Sequence, residues 1–310
     1  MPAVKKDVAL LMGGWSPERE VSLSSGRECA KALRDCGYCV RVIDVGRDLP
    51  ALLHALEPRP DAIFNALHGV GGEDGTIQGV FEMLGIPYTH SGVRASALAM
   101  HKPSAKELFV RAGLPVVEGV VAHRSELAWR DPLPAPFVVK PTNQGSTFGV
   151  RIVHAGDNSW HEDVKEWRFG DEILVERYIP GRELTAAVMG ERALGVCEII
   201  PRSSSFYDYT AKYAPGGSEH LVPAPLPPKD YEFVLDVALR AHQALGCRGV
   251  SRADFRYDDT GGGDARLYLL EINTQPGMTP TSLVPDIARH AGIGFDELVA
   301  WIVENAACGD

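Results

Sequence analysis

The stretch LYLLEINTQPGM, residues 267–278, ends an apolar run on a carboxylate and an amide. In an extended strand, residues i and i+2 share a face, so Glu271 and Asn273 project together. The stretch SRADF, residues 251–255, does the same with Arg252 and Asp254. A glycine-rich turn, DDTGGGD, joins the two segments and makes them hairpin neighbours. Asp254, Glu271 and Asn273 then gather at one sheet edge. Two carboxylates and an amide oxygen are hard ligands that suit Mg²⁺, an ion that keeps water and phosphate oxygens in its shell. The plainer alternative is a solvated strand end, where Glu and Asn are common. The run before Glu271 is too apolar for that.

Two other stretches carry possible chemistry. In FVVKPTNQGSTFGV, residues 137–150, Lys140 ends a buried strand and small polar residues follow, with Gly145 and Gly149. Such a loop lays backbone N–H groups over phosphates, with the lysine as a point charge. A simple hairpin turn fits the same residues. It is not a P-loop, because no Gly-Lys-Ser/Thr opens a helix. In FYDYTAKYAPGGSEHLVP, residues 206–223, no periodicity is visible. A loop of that length is either a lid or plain surface. As a lid it would bring Lys212 to a phosphate and Tyr213 over the substrate. HGVGGEDG, residues 68–75, has the spacing G-x-G-G-x-x-G, and no acidic residue ends the next strand. A nicotinamide cofactor is therefore not expected.

The elements that must position these residues follow from periodicity. Residues 1–95 alternate strand and helix: VALLMGG, then a helix to Gly37, CVRVIDV, LPALLHALEP, DAIFNALHG and TIQGVFEMLG. This βαβαβα order predicts a parallel sheet with right-handed crossovers and ligands at the carboxyl ends of the strands. Those ends are residues 13–18 and 68–75. Residues 96–180 open with a helix, HKPSAKELFVRAG, with Pro103 at its first position, and continue as strands. Residues 181–310 contain strands, the helix KDYEFVLDVALRAHQALG, the hairpin carrying Asp254 and Glu271, and a closing helix. LVPAPLPPKD reads as a stiff loop before the long helix. The predicted fold is α/β and α+β: a Rossmann-like domain (1–95), a central unit (96–180) and a C-terminal unit (181–310) bearing the metal and substrate site.

The chain has 310 residues, 45% hydrophobic and 23% charged, with a formal net charge of −10. The length is too great for one core, and the composition is that of a globular, water-soluble chain. The charge argues against a nucleic-acid surface. No apolar run approaches the roughly 18 residues that would span a bilayer. Six cysteines are scattered, and Cys36 and Cys39 form a C-x-x-C. A redox pair sits where a strand feeds a helix N-terminus. Here the order is helix then strand, so structural thiols in a reducing cytoplasm are expected.

Together the motifs LMGGWSPEREVSLSSG, ALHGVGGEDGTIQG, VVKPTNQGSTFGV, FYDYTAKY, SRADF and LLEINTQPGMTPTSLVP resemble those of the D-alanine–D-alanine ligases of the ATP-grasp superfamily, in the same order over essentially the whole chain. The resemblance implies that two units grip ATP. It implies ligation of two D-alanines through an acyl phosphate, for peptidoglycan precursor synthesis in the cytoplasm by a homodimer with no nucleic-acid or membrane partner. It implies two Mg²⁺ or Mn²⁺ ions on Asp254, Glu271 and Asn273. Arg252 and the N–H of Gly277 match the groups beside the tetrahedral oxyanion. Lys102 and Lys140 match lysines on the α- and β-phosphates, and Lys212 one near the γ-phosphate. Glu176, Arg177 and Ile179 match the adenine-binding segment, and Glu183 the ribose ligand. Glu18 matches the carboxylate on the first substrate's ammonium group, with Ser146 and Tyr213 as its hydrogen-bonded partners. Ser282, Leu283 and His68 match the pocket of the second substrate. Gln144 and His101 depart from the family, where an acidic residue is common. Two alternatives stand beside this reading: a depsipeptide ligase using D-lactate, against which Tyr213 speaks, and a non-catalytic nucleotide-binding protein.

Overall fold

The computed structural model describes residues 6–202, 217–261, 265–279 and 281–309. The first part runs β1 (Asp7–Gly13), α1 (Arg19–Asp35), β2 (Cys39–Val45), α2 (Leu49–Ala55), β3 (Ala62–Asn65) and α3 (Thr76–Leu84). Its strands form a parallel sheet in the order β2-β1-β3. Alternate residues of β1 serve two cores, which is why the strand reads as a continuous apolar run. Val8 and Leu10 pack with Cys29, Ala30 and Leu33 of α1, while Ala9 and Leu11 pack with Leu52 of α2 and Ile77 and Phe81 of α3. The C-x-x-C falls at the end of α1, as its sequence order requires, and all six cysteines are free.

The second part comprises α4 (Val93–Met100), α5 (Lys102–Arg111), β4 (Gly119–His123), α6 (Arg124–Leu127), β5 (Phe137–Pro141), β6 (Arg151–Val153), α7 (Trp160–Lys165) and β7 (Glu172–Arg177). The strands make an antiparallel sheet, β4-β7-β5-β6. Phe137, Val139, Ile173 and Val175 pack on one face against Leu127, Trp160 and Val164. Alternation then sends Val138, Lys140 and Glu176 to the opposite face.

The third part runs β8 (Arg182–Met189), β9 (Arg192–Pro201), β10 (Ser218–Leu221), α8 (Pro228–Leu245), β11 (Val250–Asp258), β12 (Arg266–Asn273), α9 (Leu283–His290) and α10 (Phe295–Glu304). Its antiparallel sheet has the order β10-β9-β8-β11-β12. Leu184, Phe255 and Leu269 share a core with Val234 and Val237 of α8, and also with Ala99 of α4 and Phe109 of α5. Ala187, Cys197 and Val250 pack with α9 and with Val8 and Leu10 of the first sheet. No described helix is long and apolar enough to cross a membrane.

Several details differ from the sequence expectation, the short helices α6 and α7 within the second part among them. Helices α4 and α9, eight residues each, carry too few turns to stand out by periodicity. Residues 218–221, read as the end of a loop, form β10 and pair with β9. Their polar composition hides an edge strand whose partner is distant in sequence. Pro103 is the second residue of α5, and the helix starts at Lys102. His101 caps that helix: its Nδ1 lies 3.4 Å from the N–H of Ser104 and 2.7 Å from the Ser104 hydroxyl. A histidine ring nitrogen thus performs the acceptor role that an acidic side chain performs at an N-cap.

Beside β3, His90 is buried at a left-handed φ of 67°, and its Nδ1 has no hydrogen-bond partner among the described residues. Burial, with His68 and Arg248 nearby, holds its pKa down at about 4. The folded protein therefore keeps His90 neutral, whereas the unfolded chain takes up a proton as pH falls below about 6.5. Stability is full above that value and falls toward pH 4, by an amount on the order of 3 kcal/mol for this group. Asn tolerates the left-handed region. His90→Asn is expected to flatten the pH dependence of the unfolding midpoint between pH 6.5 and 4. Parallel curves for both proteins would show that His90 does not contribute.

Candidate active site

The bottom of the cleft is built by β11 and β12. Asp254 lies opposite Glu271 and Arg252 opposite Asn273 in their register. The register slips between Asp254 and Phe255, where Leu270 is the extra residue on β12. This bulge matters, because strict alternation would place Glu271 on the side of Leu267 and Leu269, which are core residues. One extra residue turns Glu271 and Asn273 outward and leaves Ile272 in the core.

The carboxylates are already matched by cations of the chain. Arg252 grips Asp254 as a fork, Nε to Oδ1 at 2.8 Å and Nη2 to Oδ2 at 2.6 Å. The Thr185 hydroxyl also donates to Asp254, at 2.7 Å. Lys102 Nζ lies 3.0 Å from a Glu271 oxygen and donates to the Gln144 carbonyl at 2.8 Å. Asn273 Oδ1 accepts from the N–H of Gln275 at 2.8 Å. The donor set is hard oxygen throughout, which fits an Mg²⁺- or Mn²⁺-class ion. Among the described residues no group of three or more His, Cys, Asp or Glu side chains could hold a metal. An ion here would therefore draw further ligands from a phosphate or from water.

Two cavities adjoin this floor. The first, about 880 Å³ and open to solvent, is lined by Glu18, His68, Ser146, Arg252, Asn273, Gly277, Ser282 and Leu283. The second, about 910 Å³ and likewise open to solvent, is lined by Lys140, Glu176, Arg177, Ile179 and Glu183, with Val117, Val138, Ile152 and Leu270 making it largely apolar. Lys102, Ser146 and Glu271 belong to both. Asp254 lines neither and faces Arg252 and Thr185. Lys212 and Tyr213 lie outside the described residues.

The polar cavity has a distinct electrostatic design. Burial, with Arg252 close by, pushes His68 down to about 4, so its ring is neutral at pH 7. Glu73 is buried, and burial together with the charge of Glu18 pushes its pKa up to about 8, against the N–H of Gly69 that donates to it at 2.9 Å. Both carboxylates face Gly145, where a Cβ would lie 2.7 Å from Glu18 Oε2 and 3.3 Å from Glu73 Oε1. The next residue, Ser146, adopts a φ of 55°, and its buried hydroxyl has no partner among the described residues. Backbone strain and an unpaired buried donor on one residue are features that recur at ligand-binding positions. At the other wall a Cβ on Gly277 would come 3.0 Å from Ser282 Oγ, a hydroxyl that also accepts from the N–H of Thr279 at 2.9 Å.

Sequence reasoning missed two residues here. Glu73 stands in the loop after β3, one of the strand ends where ligands were expected, so its position was the available signal. Lys106 stands one helical turn after Lys102 and points at Glu176, and that i, i+4 spacing was its signal.

The surroundings of this divided cleft recur in known proteins. A family model described as D-ala D-ala ligase C-terminus matches residues 108–304, and one described as D-ala D-ala ligase N-terminus matches residues 50–91. A D-alanine–D-alanine ligase of Chelativorans is 59% identical, covering 98% of this chain and 99% of its own. A D-alanine–D-alanine ligase B of Mesorhizobium japonicum is 58% identical, with 98% of each covered. Among solved structures, a D-alanine–D-alanine ligase from Bacillus anthracis complexed with ATP superposes with a TM-score of 0.79 at 31% identity, covering 97% of this chain and 96% of that one. Likeness of this extent, over both cavities and the hairpin between them, makes the chain a member of the D-alanine–D-alanine ligase family.

Proposed function

We propose that the protein joins two D-alanines into D-alanyl-D-alanine while ATP becomes ADP and phosphate. The observation that carries this reading is the shared wall of Lys102, Ser146 and Glu271. A nucleotide whose base lies in the apolar cavity ends with its γ-phosphate at the polar one. Glu176, Arg177 and Ile179 frame the base, Glu183 meets the ribose, and Lys140 and Lys102 meet the phosphates. On this reading the unit 96–180 covers a nucleotide held along the edge of 181–310, and 1–95 completes the amino-acid side.

Glu18 holds the first D-alanine by its ammonium group. The carboxylate oxygen of that substrate attacks the γ-phosphorus, the bond to the bridging oxygen breaks, and ADP leaves an acyl phosphate. The carboxylate of the second D-alanine docks at Ser282 and Leu283, the N-terminus of α9, where unpaired N–H groups favour an anion. Neutral His68 sits beside it as a hydrogen-bonding group. The free amine of the second substrate attacks the acyl carbon and loses a proton, and phosphate departs with the electrons of the broken C–O bond. Arg252 and the N–H of Gly277 meet the oxyanion formed on the way. On the family's pattern the Ser146 hydroxyl, which has no partner among the described residues, and Tyr213 would join Glu18 on the loop side of the site once substrate is bound. On the family's pattern Asp254, Glu271 and Asn273 would hold two Mg²⁺ or Mn²⁺ ions, which would neutralise phosphate charge during transfer.

A cytoplasmic homodimer without nucleic-acid or membrane partners belongs to the same reading and rests on the family pattern and the net charge of −10. ADP release coupled to D-alanine tests the reaction, repeated with D-alanine plus D-lactate at pH 6 and pH 8. The expected result is ADP with D-alanine alone and a dipeptide product. No ADP in either mixture would remove the enzyme reading, and a D-lactate product near neutral pH would replace the dipeptide with a depsipeptide.

A further inference from the structure

Glu176 is the most deeply buried carboxylate of the cleft, with its side chain 3% exposed. Each of its oxygens has its own lysine. Lys140 Nζ lies 2.5 Å from Oε2, and Lys106 donates to Oε1. Lys106 also donates to the carbonyl of Val117 at 2.6 Å, and its side chain is only 11% exposed. Burial pulls the Lys106 pKa down, against the pull of Glu176. Burial alone would raise Glu176, but Lys140 and Lys106 together outweigh it and keep the carboxyl ionised. Gly119 is the strand partner of Glu176, and a Cβ there would lie 2.7 Å from the Val175 carbonyl oxygen and 2.9 Å from Glu176 Cγ.

The two lysines are not equivalent. Lys140 lines the nucleotide cavity and ends a strand facing it, whereas Lys106 does not line the cavity and is anchored to Val117 from behind. A lysine that engages a phosphate must release the Glu176 oxygen it holds. A buried carboxylate left without a counter-charge is strongly disfavoured. We propose that Lys106 is the standing counter-ion of Glu176, a positioning residue that frees Lys140 to bind the nucleotide's phosphates. The proposal rests on the assignment of the apolar cavity to ATP. Without Lys106, Lys140 is committed to neutralising Glu176, and ATP must compete for it.

The test is ATP affinity by calorimetry, with the KM for each substrate measured alongside. Lys106→Met is expected to weaken ATP roughly 10–100-fold, with the D-alanine KM changed less than about twofold. Lys106→Arg, which keeps the charge, is expected to retain most of the affinity. In a Glu176→Gln background, where no counter-charge is needed, Lys106→Met is expected to change ATP affinity by less than about twofold. A loss beyond about tenfold in that background would show that Lys106 acts independently of Glu176 and would overturn the proposal. That comparison holds even if Lys106→Met alone does not fold. Unchanged ATP affinity in Lys106→Met, with a loss in Lys140→Met, would overturn the proposal and leave the nucleotide site standing. Unchanged affinity in both would remove the nucleotide assignment as well.

Discussion

Glu271→Gln is expected to lower kcat by roughly 10²–10⁴-fold, with the fold intact. The two side chains have the same shape, so the packing of Leu269 and Ile272 on the core side of β12 is undisturbed. What is lost is one negative charge at the junction of the two cavities, where Glu271 faces Asp254 across the hairpin. Lys102 would lose its ion pair but keep the Gln144 carbonyl. The cost in stability is therefore modest, about 1–2 kcal/mol. Steady-state rates at saturating ATP and D-alanine, with thermal unfolding as the control, decide the matter. Turnover within threefold of the parent would remove Glu271 from the chemistry.

Arg252→Lys is expected to cost roughly 10²–10³-fold in kcat/KM, although the charge is conserved. The guanidinium reaches both oxygens of Asp254 at 2.8 and 2.6 Å while lining the polar cavity. A lysine is a single point charge and cannot hold both oxygens and still present a second N–H to an oxyanion. Asp254 would keep the Thr185 hydroxyl, so the hairpin should remain folded. The useful readout is the split between parameters. A loss carried by kcat, with both KM values near the parent's, marks an interaction made in the transition state. A loss carried by KM alone would assign Arg252 to substrate binding instead.

His101 and Gln144 show what local reasoning reaches. The His101 ring caps α5. The position needs an acceptor at a helix N-terminus, and several side chains meet that need. Gln144 contributes its backbone carbonyl to Lys102, a contact indifferent to side-chain type. Glu73 shows the opposite case. Nothing in its neighbours along the chain announces a carboxyl pushed up to about 8, because the cause is burial beside Glu18.

From the sequence alone come the order of strands and helices, the parallel first sheet, the hairpin of SRADF and LLEIN, and the residue types at the cleft. These follow from periodicity, turn residues and motif resemblance, all of which act over a few residues. The tertiary structure decided what depends on distant neighbours. It placed β10 at a sheet edge, put Lys106 behind Glu176, and set Lys102 between a metal-type carboxylate and a loop carbonyl. It also decided which way Glu271 points. Alternation along β12 by itself would have sent that side chain toward the core with Leu267 and Leu269. The bulge at Leu270 exists because β11 and β12 must stay paired on both sides of Asp254, and that pairing is a property of two strands together.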